Sequence, residues 1–498
     1  MSIQFIEDSK IFKLDSKDSS YIFGVFEGNY LVHYYYGAYI PDVNVEELRL
    51  RPGFASFCPD SPTARAHNFS PDVTPLEYST FGAGDFRLSA FAVKNAEGNK
   101  VTDLRYVSHK ISKGKKPLPG LPALYVNEES EADTLEILTE DKVTGAFVTL
   151  IYTVFNNYSA ITRSVKVENK SDKPFFIDTV HSLCVDFPGS DYEMLDLYGR
   201  WAKERALERY PLHRGIQSIK SKRGSSSHNH NPFTALVSKG TNEEYGECYG
   251  FNLVYSSNFS IDVEIDGFNC TRLVMGINPE GFSWHLSPGE EFYSPEAVMV
   301  YTNKGLGEMS RIFHRLYGNN LIRGKWKKAK RPLLINNWEG TGMEFDHNKL
   351  VSFAKHAKDI GLEMLVMDDG WFGKRDDDKS SLGDWVVAEY KLQKGLSGLI
   401  KEVNDCGLKF GIWFEPEMIS PDSDIYRAHP DWCLHTEGRD KSIARTQYVI
   451  DYSRKEVRDH IYGMMYDILS KNNIDSEEVK IAGNSKEKKK GNKLIFFS

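Results

Sequence analysis

The spacing of apolar and polar residues changes once along the chain, close to residue 305. Upstream, apolar and polar residues alternate with a period of two, most clearly in residues 134–155, 160–187 and 247–268, and Gly, Asn, Asp and Pro separate the alternating segments. This pattern is typical of half-buried antiparallel strands joined by turns. The number of such strands in succession predicts a large antiparallel β-sandwich over residues 1–305.

A short helical segment follows the predicted sandwich. Met309, Ile312, Phe313 and Leu316 recur at helical spacing, and the basic stretch "RGKWKKAKRP" comes directly after them. We interpret residues 306–331 as a helical and basic linker between two domains. A patch that binds polyanions is the alternative, but charge runs of this kind are more often solvated linkers.

Beyond Pro332 the pattern alternates between apolar strands and amphipathic helices. The predicted strands are "PLLINNWE", "LEMLVMDDGWF", "KFGIWFEPEMIS" and "RTQYVIDYS", and helical segments such as "DHNKLVSFAKHAKDIG", with an Asp cap and a Gly stop, lie between them. Nearly continuous apolar strands that alternate with helices indicate a parallel sheet covered on both faces. Residues 332–475 are therefore predicted to form a parallel α/β domain in which strands and helices alternate as in (β/α) barrels.

Polar and aromatic residues accumulate where three of these strands end. They are Asn336, Asn337 and Trp338; Asp368, Asp369 and Trp371; and Trp413, Glu415 and Glu417. In (β/α) barrels the carboxyl ends of the strands meet at one mouth, where the functional site is built. Packing alone does not account for polar residues that recur at this position, so the sequence predicts a pocket there.

Composition excludes several classes of protein. The 498 residues carry a formal net charge of −8 with a pI near 6.0, which gives no footprint for nucleic acid. Six well-separated cysteines form no CxxC pair, so neither a zinc site nor a disulfide scaffold is expected. The N-terminus is polar and no apolar run is long enough for a bilayer. We expect a soluble, cytoplasmic protein without a membrane partner, metal or cofactor.

The residues at the predicted mouth favour a sugar over a cation. Carboxylates accept hydroxyl donors, and an indole offers a flat apolar wall to the C–H face of a pyranose. The run "KRDDDKS" leaves a hard-cation site as the rival. Lys374, Arg375 and Lys379 would neutralise that run, however, and a solvated loop is the favoured interpretation of residues 376–378. No phosphate-binding Gly loop, HExxH motif or serine-nucleophile motif occurs.

Long ordered motifs carry a resemblance to a known family. "LLINNWE", "MDDGWFGKRDDDKSSLGDW", "GIWFEPEMISPDSDIYRAHPDWCLH" and "RTQYVIDYSR" resemble the barrel motifs of the bacterial α-galactosidases of glycoside hydrolase family 36. Upstream, "LEYSTFGAGDFR", "VTDLRYVSHKI", "RSVKVEN", "LYGRWAKER", "RGSSSHNHNPF" and "MGINPEGFSW" resemble that family's N-terminal β-supersandwich. The resemblance extends from about residue 20 to residue 475 and implies a β-supersandwich followed by an incomplete (β/α)8 TIM barrel.

The resemblance implies roles for individual residues. Asp368 and Asp369 would accept hydrogen bonds from the O4 and O6 hydroxyls of galactose, and Arg445 would contact the sugar. The residues implied to line the pocket are Trp338, Trp413 and, from the β-domain, Trp201. It further implies retaining hydrolysis of terminal, non-reducing α-D-galactose in melibiose- and raffinose-type oligosaccharides. A homo-oligomer, a tetramer in the family, is the implied assembly.

Simpler structural roles remain open for each of these residues. The tryptophans could be core aromatics, and the aspartate pair could cap a helix or form an internal salt bridge. Arg445 could pair with a carboxylate at the mouth. Glu415 and Glu417 could equally be structural carboxylates there.

The residues that carry out catalysis in this family, a nucleophile and an acid/base Asp, have no counterpart in this sequence. The family's nucleophile is the Asp of a Lys-Trp-Asp strand, and no such tripeptide occurs among the 498 residues. Residues 476–498 instead form a polar, Lys-rich stretch, which we expect to be an aberrant, disordered tail. We expect that the family's acid/base Asp and C-terminal β-domain are missing as well, as after a truncation, and no catalytic residue is assigned.

Adjacent Asp368 and Asp369 cannot substitute as a catalytic pair, because neighbouring strand residues point to opposite faces. We therefore expect an α-galactosidase-like chain with little or no turnover. A non-catalytic galactoside-binding remnant is the alternative, and a product that does not fold is a third possibility.

Overall fold

The computed structural model describes residues 2–41, 44–50, 58–59, 69–226 and 228–479, with only the backbone at 476–479. The chain divides into Met1–Ile322 (unit 1) and Arg323–Ser498 (unit 2). Each unit has its own cluster of buried apolar side chains.

Unit 1 consists almost entirely of antiparallel strands. In the described residues these are β1 (Ile3–Ile6), β2 (Ile11–Asp15), β3 (Ser19–Phe26), β4 (Tyr30–Ala38), β5 (Phe91–Lys94), β6 (Arg105–Lys113), β7 (Ala132–Asp141), β8 (Ala146–Phe155), β9 (Ala160–Asn169), β10 (Phe175–Phe187), β11 (Tyr192–Arg200), β12 (Lys203–Pro211), β13 (Gly215–Lys220), β14 (His230–Ser238), β15 (Cys248–Val254), β16 (Phe259–Ile265), β17 (Thr271–Ile277), β18 (Trp284–Leu286), β19 (Glu291–Tyr293) and β20 (Glu296–Thr302). Single-turn 3-10 helices lie at Glu27–Asn29, Val45–Leu48 and Glu129–Glu131.

These strands form three sheets. One sheet is the meander β1–β2–β3–β4. The largest runs β12–β11–β14–β15–β20–β9–β8–β7–β6, with β19 beside β9, and the third runs β13–β16–β17–β10–β18, with β5 beside β10. The two larger sheets and the meander share one apolar core. The prediction of an antiparallel sandwich is confirmed.

A buried ionic cluster crosses this apolar core. Glu77 has no exposed surface, and its carboxylate accepts hydrogen bonds from the hydroxyls of Tyr21 and Tyr152, each at 2.7 Å. Arg163 Nη2 lies 3.0 Å from the same carboxylate, and His33 Nδ1 lies 3.0 Å from it. Burying a carboxylate in an apolar core requires partners of this kind.

The segment predicted as a helical linker is divided by the structure. Helix α1 (Gly305–Asn320) belongs to unit 1, where Met309 and Phe313 pack against the sheet. A Cβ at Gly250 on β15 would lie 2.7 Å from Phe313 Cε2, so only glycine lets the helix approach this closely. The basic stretch belongs to unit 2, and its Trp326 is buried beneath Lys409, whose Nζ lies 5.2 Å from the ring centroid. The predicted linker, residues 306–331, is thus divided between the two units at Ile322.

Unit 2 alternates strands and helices as predicted. Its elements are β21 (Leu334–Asn336), α2 (Trp338–Thr341), α3 (His347–Asp359), β22 (Met364–Met367), α4 (Gly395–Asp405), β23 (Lys409–Phe414), β24 (Met418–Ile419), α5 (Asp424–Ala428), β25 (Ile443–Ala444), β26 (Gln447–Val449), α6 (Lys455–Lys471) and β27 (Ser476–Val479), with 3-10 turns at Lys325–Lys327 and Pro430–Trp432. Strands β21, β22, β23 and β27 form a parallel sheet in that order. The described residues form this partial barrel and no closed one.

Two expectations about the barrel strands were wrong. Gln447–Val449, within the predicted fourth strand, pairs antiparallel with β24 and β25 in a separate small sheet. The fourth parallel strand is Ser476–Val479, at the start of the predicted polar tail. The expectation that each parallel strand is a run of apolar residues failed at Ser476–Val479, because backbone hydrogen bonds alone can add a short strand at a sheet edge. Residues 480–498, the rest of that predicted tail, lie outside the described residues.

None of the helices in the described ranges has both the length and the apolar character needed to cross a bilayer. All six cysteines lie in described positions and carry free thiols.

Candidate functional site

The parallel sheet of unit 2 brings the polar strand ends together at one edge. In the strand register Asn336 lies opposite Val366, and Val366 lies opposite Gly411. Since parallel strands end at the same edge, the residues that follow β21, β22 and β23 are neighbours there. The convergence predicted from the sequence is present.

Asp368 is held in place by the amides of the neighbouring strand. Asn336 Nδ2 donates to Asp368 Oδ2, and Asn337 Oδ1 accepts the Asp368 backbone N–H at 2.8 Å. The backbone N–H of Asp369 donates to Asp368 Oδ1 at 2.6 Å. Asp368 is half-buried, and no Lys, Arg or His within the described ranges lies at salt-bridge distance from it. A carboxylate has about four acceptor positions, so Asp368 keeps about two for a ligand.

Asp369 has a different environment, although it is the next residue. Only 3% of its surface is exposed, and Arg375, which is fully buried, binds it through two nitrogens. Arg375 Nε lies 3.0 Å from Oδ1 and Nη2 lies 2.9 Å from Oδ2. This bidentate pair is the internal salt bridge that was left open for the aspartate pair, and it holds Asp369 at the strand end.

The acidic run that follows is paired within the chain. Asp376 contacts Lys391 Nζ at 2.7 Å, and this hydrogen bond lowers the pKa of Asp376. Burial, and then the neighbouring Asp376, raises the pKa of Tyr390 to about 12. Asp377 is exposed and accepts only a local bond, from the Lys379 N–H at 2.8 Å. Of the three aspartates, Asp377 alone fits the solvated-loop interpretation.

Asp378 lies between two guanidinium groups. Its Oδ1 is 3.8 Å from Arg375 Nη2 and 3.4 Å from Arg445 Nη2. No group of three or more His, Cys, Asp or Glu in the described part of the chain is arranged to hold a metal ion.

Arg445 is presented by a tight hairpin. It lies with Thr446 in the two-residue turn between β25 and β26, and their φ angles are +48° and +61°. This left-handed conformation is unfavourable for a β-branched residue such as Thr446, so the turn must be held by its surroundings. Thr446 Oγ1 donates to the Asp378 carbonyl at 2.8 Å, which supplies part of that support.

The indoles of unit 2 separate into core and edge. Trp371 is completely buried and donates from Nε1 to the Trp413 carbonyl at 3.0 Å, so its expected place at the mouth was wrong. Trp413 is half-buried, and its ring centroid lies 6.2 Å from that of Trp385. Trp338 is half-buried at the start of α2, where Asn336 Oδ1 accepts its backbone N–H at 2.7 Å.

The remaining predicted residues are placed as follows. Trp201 belongs to unit 1, at the turn between β11 and β12, and 80% of its surface is exposed. Glu415 and Glu417 are half-buried beyond the end of β23. An exposed indole at a hairpin turn is free of core packing, which removes the core-aromatic reading of Trp201.

Sequence reasoning missed the structural importance of Arg375. It treated Arg375 as one of several cations that neutralise an exposed loop, whereas the side chain is buried and binds a strand-end aspartate. The available signal was the opposite charge six residues after Asp369, but nothing in the local pattern separates Arg375 from the exposed Lys374.

A large antiparallel sandwich, and parallel strands that end in carboxylates, amides and indoles, are the features expected of the glycoside hydrolases that the sequence resembles. A family model described as the glycosyl hydrolase family 36 N-terminal domain matches residues 29–287, and one described as melibiase matches residues 291–493. The chain therefore belongs to glycosyl hydrolase family 36, and the resemblance seen in the sequence is confirmed.

Named relatives agree with this assignment. The chain is 47% identical over 470 residues to alpha-galactosidase AgaA of Geobacillus stearothermophilus, a match covering 94% of this chain and 64% of AgaA. Identity to alpha-galactosidase Mel36A of Lactobacillus acidophilus is 43% over 475 residues, or 95% of this chain and 64% of Mel36A. The crystal structure of alpha-galactosidase AgaB of G. stearothermophilus superposes with a TM-score of 0.93 at 46% identity, covering 98% of this chain and 66% of AgaB. The chain thus spans just under two thirds of the length of these relatives.

Proposed function

We propose that this chain recognises the terminal, non-reducing α-D-galactose of oligosaccharides of the melibiose and raffinose type. The observation that carries the proposal is Asp368, a carboxylate with open acceptor positions and no cationic partner in the described residues, at the edge where the parallel strands end. Variants of AgaA have been crystallised in complex with raffinose and with stachyose, which supports the choice of ligand.

Each predicted site residue has a part in this proposal. Asp368 accepts from the galactose O4 and O6 hydroxyls together with Asp369, whose carboxylate retains acceptor capacity beyond its bonds to Arg375. Arg445 donates to a ring hydroxyl. Trp413 and Trp338 offer flat faces to the C–H side of the ring. The role of Trp201, which belongs to unit 1, stays a prediction implied by the family resemblance.

Selectivity follows from the position of O4. In galactose O4 is axial and can reach a carboxylate at the strand end, whereas the equatorial O4 of glucose leaves that acceptor unpaired. A fully buried acceptor left without a donor costs about 1–3 kcal/mol, and half-buried Asp368 should lose part of that. We therefore propose a clear preference for galactosides over glucosides.

The family reaction, retaining hydrolysis, needs two carboxyl groups about 5–5.5 Å apart. The sequence contains no Lys-Trp-Asp motif, and Asp369 is already engaged by Arg375. We propose that the 498-residue chain binds α-galactosides with little or no turnover, although the reaction of its family is retaining hydrolysis. The free state of all six cysteines supports a cytoplasmic location, and a homo-oligomer remains part of the proposal.

Calorimetry with melibiose tests the proposal, with Asp368→Asn as the diagnostic variant and Asp377→Asn as its matched control. Both variants remove one carboxylate charge, but only Asp368 lies at the strand end. We expect melibiose binding by the unmodified chain and by Asp377→Asn, and at least about tenfold weaker binding by Asp368→Asn. No melibiose binding by the folded chain would refute the proposal, and rapid release of p-nitrophenol from its α-galactoside would refute the absence of turnover.

A further inference from the structure

A chain of four alternating charges joins two distant parts of the site. It consists of Asp369, Arg375, Asp378 and Arg445, and it is called the ion-pair chain below. Arg375 binds Asp369 at 2.9 Å through Nη2, and the same nitrogen lies 3.8 Å from Asp378 Oδ1. Arg445 Nη2 lies 3.4 Å from that same oxygen. The chain thereby connects the end of β22 to the hairpin between β25 and β26, across 76 positions of sequence (445 − 369).

We propose that Asp378 and Arg375 are positioning residues: Asp378 holds Arg445, and Arg375 holds Asp369, in the geometry that binds galactose. This inference rests on the proposed function for the roles of Asp369 and Arg445. Neither Arg375 nor Asp378 needs to touch the sugar, since each acts through the residue it contacts.

The buried end of the ion-pair chain is rigid. Arg375 has no exposed surface, and its Nη1 donates to the Ser380 carbonyl at 2.9 Å. Lys391 Nζ in turn donates to the Arg375 carbonyl at 3.0 Å. Since the side chain and the backbone of Arg375 are both fixed, Asp369 and the following loop are fixed relative to β22.

The outer end of the ion-pair chain controls a strained turn. Arg445 and Thr446 both have positive φ, and Thr446 Oγ1 donates to the Asp378 carbonyl at 2.8 Å. The backbone carbonyl of Asp378 therefore holds Thr446 in the turn, and the carboxylate of Asp378 holds the side chain of Arg445. More than half of each side chain is exposed, at 55% for Asp378 and 58% for Arg445, so losing this pair does not threaten the fold.

The test compares Asp378→Asn with Asp377→Asn in the full chain. Both variants change the loop charge equally, but Asp377 contacts neither arginine in the structure. We expect galactose binding, measured by calorimetry, to weaken about two- to fivefold in Asp378→Asn and to stay unchanged in Asp377→Asn. In an Arg445→Ala background, Asp378→Asn should cause no further loss. Equal binding by the two Asn variants, or additive losses with Arg445→Ala, would overturn the proposal.

A second measurement is independent of sugar binding. Phenylglyoxal labelling of Arg445, followed by mass spectrometry, should accelerate in Asp378→Asn but not in Asp377→Asn, and Asp378→Glu should restore slow labelling. Unchanged labelling in Asp378→Asn would overturn the inference even if galactose binds. If the unmodified chain fails to bind galactose while labelling changes as expected, the proposed function fails and the Asp378–Arg445 link stands.

Discussion

Replacing Arg375 by Met should destabilise unit 2 more than any exposed change near the site. Methionine keeps much of the side-chain length but removes the charge and all the N–H donors. Asp369, whose side chain is 4% exposed, would then be a buried carboxylate without a cationic partner. Of its contacts in the described residues, those with Arg375 supply all the positive charge.

The size of the effect follows from the burial of both partners. Removing one member of a buried ion pair typically costs about 3–5 kcal/mol, because the remaining charge stays desolvated. The carbonyl of Ser380 also loses its donor, which adds to the cost. Replacing both partners, as in Arg375→Met with Asp369→Leu, should recover most of the loss, since an apolar pair of similar volume is often as stable as the ion pair.

Tryptophan fluorescence during urea unfolding suits this measurement. Six of the eight tryptophans, all except Trp201 and Trp284, belong to unit 2, so the signal reports chiefly on that unit. Lys374→Met is the matched control, because it removes a neighbouring exposed cation and should change the unfolding free energy by less than about 0.5 kcal/mol.

Two results would refute this reasoning. A loss below about 1 kcal/mol in Arg375→Met would mean that Asp369 is solvated or has another partner. A double variant as unstable as Arg375→Met alone would mean that the cost comes from packing and not from an uncompensated charge.

Three further predictions concern unit 1 and are checked by thermal unfolding followed by circular dichroism. Glu77→Gln should cost about 3 kcal/mol or more, since it leaves a buried cation uncompensated. Burial lowers the pKa of His181, so below about pH 6.5 the unfolded state gains a proton at this residue and the folded state does not. The free energy of unfolding should therefore fall by up to about 1.4 kcal/mol per pH unit as the pH decreases toward the folded pKa. His181→Gln should remove this contribution, whereas His285→Asn, at an exposed histidine, should leave it unchanged. Gly250→Ala should cost about 1–3 kcal/mol by displacing α1. Gly318→Ala, on the open side of the same helix, should instead stabilise by about 0.5–1 kcal/mol. A stabilising Gly250→Ala or a destabilising Gly318→Ala would contradict the packing described for α1.

Much of the fold was predictable because its signals are local. The Asp346 cap is confirmed by its bond from the Lys349 N–H at 2.8 Å, and Gly361 follows α3 with a φ of +87°. The strand assignments failed where pairing is decided by distant backbone. Gln447–Val449 and Ser476–Val479 are both short, and no local pattern shows whether a short strand pairs antiparallel or joins the parallel sheet.

The sequence predicted which residues lie at the edge of the site, but not how deeply they are buried or which side chains they bind. The strand-end rule placed Asp368, Asp369 and Trp413 at one edge, because parallel strands end together. It could not separate Trp371, which packs in the core, from Trp413, since both follow apolar strands. Burial and partners depend on the loop after β22, whose course the sequence pattern does not specify.

The different environments of the two adjacent aspartates also favour the proposed sugar over a cation at the end of β22. A hard cation such as Ca²⁺ requires six to eight oxygen ligands, several of them charged. Arg375 neutralises Asp369, and Lys391 and Arg445 face Asp376 and Asp378, which leaves Asp368 as the carboxylate at the end of β22 without a described cationic partner. One charged acceptor beside amide and indole groups suits a neutral ligand rich in hydroxyls, because it offers strong acceptors without a net field that would demand a counter-charge. Converting Arg375 to an uncharged residue should therefore weaken galactose binding and raise the affinity of the edge for divalent cations, and calorimetry with Ca²⁺ on Arg375→Met distinguishes this from simple unfolding.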